Sequence, residues 1–215
     1  MPGQMPISRP VLVACLLLAL VTMTVMLKVE VPLLLGMHPD WDRKVYAYRW
    51  LLHLHAGLGC LALFAAPAQF IPQLRRRYLH AHRLLGRVYV GAIAVSAPIG
   101  LYIATAHLLG NERVAAAVQA VAWLGTTLIA LYAAISKQLA AHKRWMIRSY
   151  ALTFSFVVSR FVVDVLAIKI AAGFGGNGAL TWACTCIALS IGPLWWHAGN
   201  AVLPRALAGA PRVAE

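Results

Sequence analysis

Six polar side chains recur at helical spacing inside stretches that are otherwise apolar: His55, Gln69, His82, His142, Arg160 and Asp164. At 100° per residue, His55, Gly59, Ala62, Ala66 and Gln69 fall within about 40° of one direction. They form a stripe of small residues with a polar group at each end. Small residues let a neighbouring helix, or a flat cofactor, approach closely. His82 begins a second face, continued by Gly86, Ile93, Ala97 and Gly100, and a third carries His142, Ser149, Thr153, Arg160 and Asp164. A charge among apolar neighbours is costly, so such residues face a bundle interior or a water-filled cavity. The chemistry open to this set is ligand holding or proton handling by imidazoles. Arg160 and Asp164, one turn apart, can also pair with each other, and a self-neutralised structural pair is the plain alternative.

Neighbouring positions are less informative. Gln119, Trp123, Thr126 and Ala130 share a milder polar face without a histidine. His53 and His80 lie two residues from His55 and His82 and therefore point elsewhere on a helix. His107 falls at or beyond the end of its apolar run, and His197 reads as interfacial.

The elements that position these residues are set by composition. Of 215 residues, 61% are hydrophobic and 12% charged, and the mean hydropathy is +0.75. A soluble domain is nearer half apolar and a quarter charged, so the chain is a multi-span membrane protein. Runs of about 20 apolar residues span a bilayer as helices, and six occur: Pro10–Leu27, Trp50–Gln69, Leu84–Ala106, Arg113–Ile135, Trp145–Ile168 and Ala179–His197. The expected architecture is all-α and polytopic, one integral membrane domain over 1–215. Spans two to five form a central four-helix bundle, and the core motif region is 50–168. Pro67, Pro98 and Pro193 lie within spans, where neighbouring groups can satisfy the freed carbonyls. Lys28 to Arg49 read as a long first loop.

The formal net charge of +13 would suggest nucleic acid on a soluble domain. Here the basic residues gather in short loops, above all Arg75, Arg76, Arg77, Arg83, Arg87, Lys143 and Arg144. That is the positive-inside pattern, with twice as many basic residues on one side as on the other. It predicts a membrane protein with both termini in the cytoplasm, no nucleic-acid partner, and anionic lipid headgroups against the cytoplasmic face. Two polar levels follow: Gln69, His82 and His142 near the cytoplasm, and His55, Arg160 and Asp164 nearer the outside. Arg160 stands about 22 Å along its helix from Trp145, most of the hydrocarbon thickness.

Cys15, Cys60, Cys184 and Cys186 lie inside apolar runs with no zinc spacing, and read as small buried hydrophobes. The first run lacks a small-residue cleavage site after Leu27, which predicts an uncleaved span. No Ser-His-Asp set, HExxH, phosphate loop or carboxylate pair points to a hydrolase or metalloprotease, and whether the chain is an enzyme stays open.

The segments HAGLGCLALFAAPAQF, RRRYLHAHRLLGRVY and AAHKRWMIRSYALTFSFVVSRF, taken in order, resemble a family of bacterial multi-pass membrane proteins catalogued as domain of unknown function 2306. The likeness covers roughly His55 to Phe161. Matching positions are His55, Gly59, Gln69, His82, Arg83, Gly86, Arg87, His142, Arg144, Trp145, Arg148 and Arg160. The resemblance implies a place in the bacterial cytoplasmic (inner) membrane, and the family supplies no activity. The HRLLG entry into a span is also similar, more distantly, to membrane b-type cytochromes, which hold haem between histidines of facing helices. That likeness implies haem b with His82 and His142 as axial ligands to the iron and His55 as an outer ligand. Gln69, Arg160 and Asp164 would complete the cofactor-binding set. Span four offers no histidine opposite His55.

Three functions follow as expectations. The first is a haem b electron-transfer protein working with a quinone or another membrane redox partner. The second is a small transporter or proton-coupled permease, in which the ionisable residues line the substrate path. The third is a non-catalytic accessory or assembly subunit.

Overall fold

In hydrocarbon an apolar run must satisfy its own backbone, so each folds as a helix. The computed structural model describes residues 9–37, 46–70, 72–168 and 177–191. Helix α1 (Arg9–Val25) runs on through a π-helical turn (Met26–Glu30) to a last turn, Val31–Leu34. A 3₁₀ turn, Tyr46–Tyr48, leads into α2 (Arg49–Gln69), and a short helical segment, Pro72–Arg77, leads to α3 (Leu79–His107). Then follow α4 (Gly110–Ile135) and α5 (Leu139–Arg160), the latter prolonged by a second π-helical turn, Phe161–Val165. The shorter α6 covers Asn177–Ile191. Five of these helices are long and apolar enough to cross a membrane, and the protein is an all-α polytopic membrane protein.

Helices α2 to α5 pack in chain order, each on the next, and α5 also touches α2; α1 lies against α5. The shared core is made of small residues, Ala62, Ala66, Ala92, Ala97 and Ala130, closed around Tyr89 and Ile93. Large apolar side chains point outward instead, among them Leu54, Leu61, Phe64, Val121 and Leu128. That is the reverse of a water-soluble fold, and it is what lipid permits, because close backbone approach rather than hydrophobic exclusion drives helices together there. Gly178 of α6 sits where a Cβ would come within 2.8 Å of the Asn111 side chain. Trp182 donates to Asn111 Oδ1 at 3.1 Å, and Arg148 donates from Nε to the Leu189 carbonyl at 3.0 Å. These contacts fix α6 to the start of α4 and to α5.

The first span differs from its expected bounds, Pro10–Leu27. Val25, Met26, Val29, Glu30 and Leu33 form one buried face, and Lys28 is exposed beside it. One charge therefore stays at the surface and the other is taken inside, so the helix continues to Leu34. Of the expected first loop, residues 38–45 lie outside the described residues. The third span begins earlier than Leu84, placing His80 and His82 on the helix. The sixth was expected at Ala179–His197; Pro193 and His197 lie outside the described residues.

Candidate functional site

The two π-helical turns touch each other, and each delivers charge to the same place. A π turn inserts one residue into a helix and re-aims its side chains. Arg160, at the end of α5, has Nε 3.4 Å from Glu30 Oε1 and Nη1 3.3 Å from Asp164 Oδ2. Glu30 is 2% exposed and Arg160 36%. Around this group lies a cavity of about 320 Å3, whose lining includes His55, Gly100, Glu112, Asn177 and Thr181. Glu30, Glu112 and Asp164, every carboxylate among the described residues, line it together with Arg160. Tyr48, in the turn ahead of α2, stacks on His107 with ring centroids 4.2 Å apart. Burial pushes its phenol up, and the nearby Arg160 guanidinium pulls it back down.

His55 forms one wall of that cavity. Its Nδ1 lies 2.9 Å from the Ser96 carbonyl and 3.0 Å from Ser96 Oγ, which itself donates to the His55 carbonyl at 3.0 Å. A carbonyl only accepts, so Nδ1 carries the proton, and a neutral ring then keeps its lone pair on Nε2. The ring fits because position 100 is glycine: a Cβ there would stand 2.7 Å from His55 Cε1. A second cavity, of about 160 Å3, shares His55, Ala56, Gly100, Ala116 and Phe156 with the first. It reaches deeper, to Gln119, Trp123 and Thr153.

Beyond the second cavity the interior is a chain of hydroxyls. Trp123 Nε1 donates to Thr153 Oγ1 at 2.9 Å, and Gln119 Nε2 to Ser155 Oγ at 2.6 Å. The Tyr89 hydroxyl bridges Thr153 (3.1 Å) and Ser149 (2.8 Å), and Ser149 meets Thr127 at 2.7 Å. Tyr89, Ser149 and Thr127 are fully buried. Each member is satisfied by another, which is how polar groups persist at such depth.

At the basic end of the bundle, near Arg75 to Arg77, stand the remaining expected residues. His142 Nδ1 donates to the Ala130 carbonyl at 2.8 Å. His82 is close enough to His142, Arg75 and Arg83 to interact with them electrostatically. Gln69 lies over Gly86, where a Cβ would stand 3.6 Å from Gln69 Oε1. Gln69 Nε2 and His82 Nδ1 are both buried without a hydrogen-bond partner.

The structure thus brings His55, Arg160 and Asp164 together around one cavity, and gathers Gln69, His82 and His142 at the other end. His53 points away from both sets, its two ring nitrogens 2.6 Å from the Arg49 carbonyl and 2.8 Å from that of Leu34. Among the described residues no group of three or more His, Cys, Asp or Glu is arranged to hold a metal ion. Sequence reasoning missed Glu30, Glu112, Ser96 and Tyr89. Glu30 had a usable signal: Val25, Met26, Val29, Glu30 and Leu33 keep helical spacing across the two charges that seemed to end the span.

This is a helical membrane protein with two polar levels inside a four-helix bundle. A family model of predicted membrane proteins, domain of unknown function 2306, matches residues 52–196, well over half the chain, and the protein belongs to that family. No curated protein and no solved structure gives a significant match.

Proposed function

We propose that the protein is a small permease that takes a small cationic solute into the cavity at the Arg160 end and moves it in exchange with protons. The observation that carries this reading is the cavity's charge. In a chain of formal net charge +13, the carboxylates lining it outnumber the guanidinium three to one. Carboxylates held against a water-filled space attract cations and repel anions. His55 Nε2 adds an acceptor on the same wall, and the Thr153–Tyr89–Ser149–Thr127 chain offers protons a route toward His142. With the basic end in the cytoplasm, as the positive-inside pattern predicts, the cavity faces outward.

The test is proteoliposome proton flux, read with an internal pH dye, while ethylammonium, choline or guanidinium is added outside. Cation-dependent flux that disappears in Asp164→Asn and Glu112→Gln supports the reading. Folded wild-type protein that gives no flux with any of them sinks it, and leaves the accessory-subunit reading standing.

Haem b is the second reading, and one observation favours it: the Nδ1 bond of His142 to a backbone carbonyl is how axial histidines are commonly oriented, with Nε2 presented to the metal. It fits the basic end only. At the other end three carboxylates already surround Arg160, and they would repel haem propionates. A reduced-minus-oxidised spectrum decides it: Soret and alpha bands lost in His142→Ala support haem, and a colourless protein expressed with ample haem eliminates it.

A further inference from the structure

We infer that the basic end of the bundle contains a binding site for a phosphate oxyanion, built from Gln69, His82 and the N-termini of α3 and α5. Two buried atoms there lack partners, Gln69 Nε2 and His82 Nδ1. A buried polar atom left unpaired is costly, and each one in a native structure calls for an unseen partner. An amide nitrogen can only donate, and an imidazole nitrogen donates when it carries the proton. An oxygen acceptor placed between them satisfies both.

The surroundings decide what carries that oxygen. Helices α3 and α5 start at the same end of the bundle with the same pattern, Leu79-His80-Ala81-His82-Arg83 and Leu139-Ala140-Ala141-His142-Lys143. Neither start has a side-chain cap. The first backbone N–H groups of a helix have no partner within it and bear partial positive charge, so they favour anions. Each histidine sits at the fourth helical position, just inside this ring of donors. Arg75 and Arg83 add full positive charge close to His82, and the short segment Pro72–Arg77 returns three arginines to this end. Donors, dipoles and guanidinium groups of one sign point to a multiply bonded oxyanion, and a phosphate group has enough acceptor positions to engage several at once. It can belong to an anionic phospholipid headgroup or to a free phosphate. The site is separate from the carboxylate cavity and does not depend on the permease reading.

The experiment is thermal unfolding of the full-length detergent-solubilised protein, titrated separately with short-chain phosphatidylglycerol, inorganic phosphate and an uncharged diacylglycerol of matching chain length. We expect a saturable rise in Tm with a phosphate-bearing compound and none with the diacylglycerol. In Gln69→Leu and His82→Ala the apparent affinity should fall at least tenfold, whereas Arg113→Ala, at the opposite end, should titrate like wild type. A response to phosphatidylglycerol alone assigns the site to a lipid headgroup; a response to inorganic phosphate as well assigns it to free phosphate compounds. Equal responses to all three compounds, none to any, or variants that titrate like wild type overturn the proposal. So does a haem spectrum that depends on His82. If His82→Ala does not fold, His82→Asn keeps a donor near the Nδ1 position and should retain binding, and Gln69→Glu, which sets a carboxylate against the anion, should lose it.

Discussion

Arg160 Nε lies 3.4 Å from Glu30 Oε1, joining the fifth helix to a carboxylate of the first that is 2% exposed. The contact exists because both helices make a π-helical turn at the same depth. Glu30 cannot be left alone at this burial, since removing one partner of a buried pair strands the other charge. We expect Arg160→Gln to destabilise the protein by about 1–3 kcal/mol, less than for a fully buried pair because Arg160 is 36% exposed and Asp164 becomes freer to reach water. Glu30→Gln should cost less, as Arg160 keeps Asp164. The double variant should cost less than the sum of the two. Detergent unfolding midpoints for the four-member cycle check this, and strictly additive effects would show that the contact carries no coupling energy.

The fold class and the inward faces were legible in the sequence because lipid imposes two simple demands: long apolar runs, and polar residues on one side of them. His55, Gln69, His82 and Arg160 all lie where helical periodicity put them. Glu30 keeps the same spacing with Val25, Met26, Val29 and Leu33, but periodicity alone cannot tell a charge that ends a helix from one that meets a partner 130 positions along the chain. Tyr89 escaped notice for a related reason. A single tyrosine in an apolar run says nothing until Ser149, Thr153 and Thr127 from two other helices are seen around it. The π turns have no sequence signature of their own; they arise where two helices must present charge to each other.

Docking of α6 depends on one small residue. A side chain at position 178 would meet both the amide of Asn111 and its backbone, with the carbonyl carbon 3.0 Å from the new Cβ. Backbone cannot yield as a flexible side chain can. Gly178→Val should therefore push α6 off the start of α4 and break the Trp182–Asn111 bond, at a cost of about 1–3 kcal/mol for overpacking. Limited proteolysis should show faster cutting between α5 and α6 in the variant. An unchanged cleavage rate would mean that this junction is not a close contact.

Position 100 offers a sharper test of how His55 is held. With a Cβ only 2.7 Å from His55 Cε1, Gly100→Ala cannot coexist with the Ser96 hydrogen bonds. The ring must swing into the cavity or the helices must part. We expect a loss of about 1–3 kcal/mol. Adding His55→Ala should restore much of it, because the clash goes with the ring. A Gly100→Ala protein as stable as wild type would place the imidazole elsewhere.

Tyr89 separates the structural role of the hydroxyl chain from a functional one. In Tyr89→Phe the ring still fills its fully buried site, Ser149 keeps Thr127, and Thr153 keeps Trp123. The stability cost should therefore be small, about 1 kcal/mol for one lost neutral bond. If protons cross the bundle along these hydroxyls, the same change removes the only link between Thr153 and Ser149 that is made side chain to side chain among the described residues. Proton flux in proteoliposomes should then fall by more than about tenfold, an added barrier of about 1.4 kcal/mol. Solute binding to the carboxylate cavity, followed by thermal shift, should stay as in wild type, since Tyr89 does not line it. Unchanged flux in a folded Tyr89→Phe protein would reduce the chain to a device for packing three helices, and the proton route would have to lie elsewhere.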